Sequence, residues 1–321
     1  MHKIRVGVLR GGPGDEYEVS FRTGAAVLRN LPEEKYQSVD ILIDKAGEWH
    51  RSGLPSSPER ALRGLDAVWN AIHGEYGEDG KIQRILDAHG LPYTGSETIP
   101  SAIAMNKTMT KRRLAEIGVR MPRAVILEVS EDNNKRIFDI FRSFTVPIVV
   151  KPVSSGSSLG VSAVWGYDDL RRAISGAFEK GNKVVIEEYI RGREATCGTL
   201  QNFRGEEVYA LIPVEIARKG NILSYGEKYE TDRNLFCPAG FSDGEKKELQ
   251  ELAKKIHEHL ELRHFSRSDF IVTPRGIYFL EVNTLPGLTE NCPFPKSLEA
   301  VGCGMGQFVD HVLGQALESG L

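Results

Sequence analysis

The sequence is short of several things whose absence narrows its function. Its longest apolar runs reach about five residues, far below the 18 or more of a membrane-spanning helix, so no membrane role is expected. It has no strong charge of either sign: a net charge of −3 gives no general attraction to nucleic acid or to an anionic membrane surface. Cysteine is scarce, with four in 321 residues and no C-x-x-C pair, which argues against a disulfide framework and for a cytoplasmic protein with reduced thiols. Both common nucleotide fingerprints are missing. The glycines after the first apolar run, "GGPGDEYE", lack the third glycine of G-x-G-x-x-G, and G-x-x-x-x-G-K-[ST] occurs nowhere. The N-terminal "MHKIRVGVLRGG" is too short in its apolar part for a secretory signal and reads as a strand.

What is present is an ordinary globular composition, 40% hydrophobic, in a chain too long for one core, so two or three domains are expected. The first hundred residues alternate strand and helix. "KIRVGVL", "SVDILI" and "LDAVWNAI" are strands. "SFRTGAAVLRNL" is a helix with Ser20 as its expected cap, and "DGKIQRILDAHG" is a helix capped by Asp79 and ended by Gly90. That order predicts an open, mostly parallel sheet with helices on both faces, an α/β architecture. From about residue 98 the pattern changes. "AIAMNKTMTKRRLAEIG" reads as one basic helix whose "KRR" is a solvated face, "RAVIL" and "PIVVKPV" as strands, and "DDLRRAISGAFEKG" as a helix. After "KVVIEEYI" the alternation around "NFRGEE" predicts antiparallel sheet, giving the C-terminal part an α+β character. Residues 219–244 are polar and largely without period, the mark of a functional loop, here expected to be mobile without ligands. Ser242 and Glu245 then form a capping box that opens another helix.

Chemistry concentrates near the C-terminus in "SRSDFIVTPRGIYFLEVNTLPG". Two strands flank the turn "TPRG". With Thr273 opposite Ile277, Asp269 faces Glu281 and Arg267 faces Asn283, all four on one side of the hairpin. Two carboxylates and an amide oxygen together suit Mg²⁺ held with phosphates. A solvated ion-paired face is the bland alternative, but the flanking "FIV" and "IYFL" disfavour it. Lys151 follows a buried-looking strand, where a lone charge needs a partner, and "SSGSSLG" after it offers backbone N–H groups. With Lys107 these features describe a phosphoryl-transfer site.

The chain resembles the ATP-grasp fold and, within it, the D-alanine–D-alanine ligases. The resemblance runs in order over "GGPGDEYEVS", "HGEYGEDG", "MNK", "KPVSSGSSLGV", "EEYIRGRE", "EKYETD", "FCPAG", "RSD" and "EVNTLPGLT". It implies a three-domain ATP-grasp architecture, with expected boundaries 1–97, 98–186 and 187–321. It implies ATP and two Mg²⁺ ions as cofactors, Mn²⁺ being an acceptable substitute, D-alanine as substrate, and a homodimer. Lys107, Lys151, Ser157 and Ser158 would meet the phosphates. Glu187, Tyr189 and Ile190 would meet the adenine, Glu194 the ribose, and Asp269, Glu281 and Asn283 the metal. Glu18, tied to Ser157 and Tyr229, would bind the ammonium of the first D-alanine. His73 would lie beside that substrate, Arg267 and Gly287 would stabilise the oxyanion, and Lys228 and Tyr229 would ride on a loop closing over the site. The implied product is D-alanyl-D-alanine for peptidoglycan precursors, made through an acyl phosphate.

The sequence departs from the family at Gly14, at Ser268, which should face the other side of its strand, and at Cys292-Pro293, where a serine and an aliphatic residue are usual. A thiol donates weakly and Pro293 has no N–H, so the second substrate is the point at issue. Tyr229 favours dipeptide over depsipeptide. An ATP-grasp ligase with another second substrate, or a silent nucleotide-binding relative, are the alternatives. The histidines of "HEH" at 257–259 diverge on their helix and are no metal site, and Cys197, Cys237 and Cys303 are read as structural.

Overall fold

The computed structural model describes residues 3–131, 134–153, 160–217 and 235–319. The expectations for Ser157, Ser158, Lys228 and Tyr229, and for most of the 219–244 loop, lie outside the described residues.

The first sheet is built from β1 (Ile4–Gly11), β2 (Tyr36–Ile43), β3 (Trp49–Arg51), β4 (Leu54–Ser56) and β5 (Ala67–Asn70), in the order β4-β3-β2-β1-β5. The expected parallel core is there, with β1 between β2 and β5. Its outer edge is an antiparallel hairpin instead. Helices α1 (Tyr17–Asn30), α2 (Pro58–Leu62) and α3 (Lys81–Ala88) belong to this part of the chain. The start of α1 differs from expectation. Glu16 occupies the cap position and Ser20 lies one turn inside, its hydroxyl donating to the Glu16 carbonyl at 2.9 Å. Asp79 accepts from the Lys81 N–H at 3.0 Å, as a residue flanking the start of α3 can.

The expected single basic helix is two, α4 (Thr98–Met105) and α5 (Lys107–Glu116). Asn106 interrupts it in an extended conformation, and its Oδ1 accepts from the N–H groups of Thr108 and Met109, both at 3.1 Å. The cap aims the new helix so that Lys107 starts it.

A second, antiparallel sheet holds β6 (Ala124–Glu128), β7 (Ile148–Pro152), β8 (Ser162–Val164) and β9 (Lys183–Glu188) in the order β6-β9-β7-β8. Helices α6 (Asn134–Ser143) and α7 (Tyr167–Phe178) cover one face through Ile137, Ile140, Leu170 and Ile174. The third sheet comprises β10 (Arg193–Phe203), β11 (Glu206–Ala210), β12 (Val214–Ile216), β13 (Leu235–Phe236), β14 (Phe265–Thr273) and β15 (Gly276–Asn283). It is backed by α8 (Asp243–His259), whose capping box of Ser242 and Glu245 is formed as read from sequence. Helices α9 (Pro293–Ala300) and α10 (Met305–Ser319) follow.

Two packing contacts join these units. Residues of α4 and α5, Ile103, Ala104 and Leu114, share a core with Phe270 and Phe279 of the third sheet. The terminal helix α10 returns to the first sheet, where Phe308 meets the edge of Trp69 at 5.9 Å and Phe265 stacks on the same indole at 6.1 Å. Aromatic groups buried this fully fix the position of one sheet against another. No helix among the described residues is long and apolar enough to cross a membrane.

Candidate active site

The hairpin β14–β15 carries the strongest prediction, and the structure reaches it by a different route. The turn pairs Thr273 with Gly276 and Val272 with Ile277, one residue out of the expected register. A bulge between Asp269 and Phe270 then inserts a residue on β15, so Asp269 does face Glu281 and Arg267 does face Asn283. The bulge cancels the slip that would otherwise have turned the carboxylates to opposite faces. Ser268 points the other way and is buried.

Charges on this face are paired within the protein. Asp269 receives Arg267 in a two-pronged contact with both distances 2.9 Å, and Thr196 of β10 donates to it at 2.6 Å. The Asn283 amide Nδ2 lies 3.3 Å from the other Asp269 oxygen, which makes Oδ1 the amide atom left for a cation. Glu281 lies 3.9 Å from the Lys107 ammonium. Two carboxylates and an amide oxygen on one face form a hard-oxygen donor set that fits Mg²⁺.

The opposite wall comes from the first sheet. After β5 the chain runs through "HGEYGEDG", and His73 is buried with Nε2 2.8 Å from the Thr23 hydroxyl. The His73 N–H donates to Ser20 Oγ at 2.9 Å, so the serine once expected as a cap instead ties α1 to this loop. Burial pulls the His73 imidazole down to about 4, with the Arg267 charge acting in the same direction, so the ring is neutral at neutral pH. Glu78, which sequence reading passed over, binds both walls. One oxygen accepts from the Gly74 N–H at 2.8 Å, and the other from the Leu285 N–H at 2.9 Å and the Thr284 hydroxyl at 3.0 Å. Burial pushes its carboxyl up and these three bonds oppose it.

Glu18 is a correction. It is exposed on the first turn of α1 and does not line the cleft. Glu16, two residues earlier, is 4% exposed and does line it. Successive helix positions turn by about 100°, so residues at 16 and 18 point to nearly opposite sides. Gly74 lies against Glu16: the glycine has φ +68°, and a Cβ there would stand 2.3 Å from Glu16 Oε2. Glycine leaves the room the carboxylate occupies.

Lys111, read from sequence as part of a solvated face, is also corrected. It lines the cleft beside Lys107, one helical turn away, and pairs with Glu187 at 2.7 Å. The other Glu187 oxygen is 2.6 Å from Lys151. That carboxylate is therefore turned to two lysines and buried, and is not presented to the cleft as an acceptor for a base. Ile190 is buried and Tyr189 half-buried just beyond β9.

One cleft thus brings together His73, Lys107, Glu194, Arg267, Asp269, Glu281, Asn283, Gly287 and Cys292 from the sequence reading, with Glu16, Glu78 and Lys111 added. Cys292 stands at the start of α9, its sulfur 3.2 Å from the Thr289 hydroxyl and close enough to Gly287 that a Cβ there would meet it at 2.9 Å. The arrangement gathers cations, hard oxygen donors and a glycine backbone in one cleft, which is the equipment of phosphoryl and acyl transfer.

Comparison with known proteins agrees. The model of the D-ala D-ala ligase C-terminus matches residues 114–314, and that of the N-terminus matches 5–62 and 51–96. A D-alanine–D-alanine ligase of Caldicellulosiruptor bescii is 32% identical, with 99% of this chain and 96% of the relative covered. Among solved structures, the VanG D-Ala:D-Ser ligase of Enterococcus faecalis superposes with TM-score 0.87 at 30% identity, over 98% of this chain and 100% of that one. The D-alanine–D-alanine ligase of Bacillus anthracis complexed with ATP gives TM-score 0.81 at 29% identity, over 99% and 98%.

Proposed function

The chain belongs to the D-alanine–D-alanine ligase family, and from that premise we propose that it is a cytoplasmic ATP-dependent ligase that condenses two D-alanines into D-alanyl-D-alanine for peptidoglycan precursors. The observation that carries the reading is the juxtaposition, in one cleft, of the Asp269–Glu281–Asn283 face with Lys107, Arg267 and the buried Glu16.

A carboxylate does not react with an amine until an oxygen is made a leaving group. The first D-alanine carboxylate attacks the γ-phosphorus of ATP and ADP departs, leaving an acyl phosphate. The amine of the second D-alanine then adds to that carbonyl, loses a proton, and phosphate leaves. Glu16, in place of Glu18, pairs with the first ammonium. His73, being neutral, sits against that substrate without repelling it. Arg267 and the Gly287 N–H face the oxyanion of the second step. Lys107 and Lys151 take phosphate oxygens, and the family resemblance gives Ser157 and Ser158 the same role. Tyr189 and Ile190 adjoin the adenine and Glu194 the ribose, and the family resemblance gives Lys228 and Tyr229 roles at the same site. Asp269, Glu281 and Asn283 would hold Mg²⁺, which when bound neutralises charge on the transferring phosphoryl group. The protein is read as three units and a homodimer.

Incubation with MgATP and D-alanine alone, with phosphate and product mass followed together, tests the reading. D-alanyl-D-alanine in step with phosphate supports it, and no phosphate release with any D-amino acid overturns it. A second reading, a different second substrate, is favoured by Cys292 and by the likeness to a D-Ala:D-Ser ligase. Competition between D-alanine and D-serine decides it. Under the first reading, Cys292→Ser tightens KM for the second D-alanine by about threefold, the gain of a stronger donor.

A further inference from the structure

We propose that Lys111 is a positioning residue of the nucleotide site: it holds the Glu187 carboxylate so that Lys151 can leave that carboxylate for a phosphate. The proposal rests on the ligase reading for the identity of the nucleotide.

The observation is a mismatch of charge. Lys107 has Glu281 within reach, but Lys111 and Lys151 share a single carboxylate, at 2.7 and 2.6 Å. All three groups are enclosed. The side chain of Glu187 is 2% exposed, that of Lys151 9% and that of Lys111 15%. Beyond Glu187, Lys111 has the Pro122 carbonyl at 3.5 Å, a weak acceptor for an ammonium. Burial, and then repulsion by Lys151, depress the Lys111 ammonium against the pull of Glu187. Burial would raise the Glu187 carboxyl, yet the two lysines outweigh it and keep it below its ordinary value. Two lysines thus face one buried carboxylate, with Glu188 a further anion acting on Lys111.

A buried carboxylate with one lysine partner cannot release that lysine, because the anion left behind would be uncompensated in a low-dielectric site. With two partners it can. Lys151 lies at the end of β7 and Lys111 on α5, so the two approach Glu187 from different elements and one can move while the other stays. A triphosphate entering the cleft would recruit Lys151, and Lys111 would keep Glu187 paired. Lys111 then acts through Glu187 and touches no reacting atom.

The test is a double-mutant cycle on MgATP affinity, measured by calorimetry on the full chain, with dipeptide formation by the unaltered protein assayed in parallel. Lys111→Met should weaken MgATP binding about tenfold, since Lys151 becomes the sole partner of Glu187. Lys111→Arg, which keeps the charge, should stay within about threefold. Lys111→Met with Glu187→Gln should recover most of the loss, because a neutral amide makes no claim on Lys151. Lys111→Met binding like the unaltered protein would overturn the proposal, and so would a double variant as weak as the single one. If Lys111→Met does not melt cooperatively, Lys111→Gln enters the same cycle. Dipeptide formation with a flat cycle rejects the role of Lys111 alone. A cycle that behaves as expected in a protein making no dipeptide rejects the ligase reading and supports the role.

Discussion

The two walls of the cleft are held by different forces. On the first-sheet side the contacts are hydrogen bonds to fixed partners: His73 to Ser20 and Thr23, and Glu78 to two backbone N–H groups and a hydroxyl. On the side of the second and third sheets they are ion pairs: Arg267 with Asp269, Lys107 with Glu281, and Lys111 and Lys151 with Glu187. A hydrogen-bonded neutral ring has one good arrangement and keeps it. Where a carboxylate keeps a second cation, as Glu187 does, one partner can be exchanged for a charged ligand while the anion stays compensated. The first wall therefore fixes where a substrate lies, and the second stores charge that the nucleotide draws on.

The sharpest way to break that comparison is to remove charge from the second wall without changing shape. Asp269→Asn keeps the volume but leaves Arg267 without its anion and the oxygen face without half its negative charge. The rate of phosphate release should fall about 10³-fold, roughly 4 kcal/mol of transition-state stabilisation. Ser20→Ala on the first wall removes two hydrogen bonds, to the Glu16 carbonyl and from the His73 N–H, and should cost about 2 kcal/mol of stability, with the rate little changed. Initial rates and melting curves of both variants decide the matter. A rate for Asp269→Asn within tenfold of the unaltered protein would show that stored charge is not what this wall contributes.

A smaller effect separates two glutamates two residues apart. Glu16→Gln should raise KM for the first D-alanine about thirtyfold, the loss of a charge-assisted contact worth about 2 kcal/mol. Glu18→Gln, on the solvent side of α1, should move it less than twofold. Equal effects would mean that the exposed residue turns inward when substrate binds.

That pair also marks how far the sequence could be read. Motif spacing located the hairpin face, because it depends on local alternation, whereas His73 was named only through the family resemblance carried by "HGEYGEDG", since alone it reads as a structural histidine. What failed depends on where an element begins. One residue decides whether Glu16 or Glu18 faces the cleft, and the start of α1 is set by packing against the His73 loop. Lys111 was misjudged for a related reason. Its helix has no clear apolar stripe of its own, and its burial comes from Glu187, far away in sequence. The bulge at Asp269 is invisible to alternation, yet it makes the turn and the carboxylate pair consistent. Glu78 could have been found, since a carboxylate among glycines in a loop faces many backbone N–H groups.

The effect on stability that builds up gradually concerns acid, and it tests the neutral wall. The His73 pKa is about 4 in the folded protein against 6.5 for an ordinary imidazole. Below pH 6.5 the unfolded chain takes up a proton that the folded one refuses, so stability falls as pH drops from about 6.5 to about 4. It stops falling, for this group, once the folded protein protonates as well. The slope is about 1.4 kcal/mol per pH unit from one imidazole. His73→Gln, which can still reach the Thr23 hydroxyl, removes that contribution and should melt with a correspondingly flatter pH dependence across the same window, even if its stability at pH 7 is lower. Denaturant unfolding at pH 7, 5.5 and 4.5 gives both slopes. His257 and His264 are also buried and depressed, to about 4 and about 3, so the variant should still lose stability in acid, only less steeply. Equal slopes would show that His73 is already charged in the folded protein, and the first wall would then be a store of charge like the second.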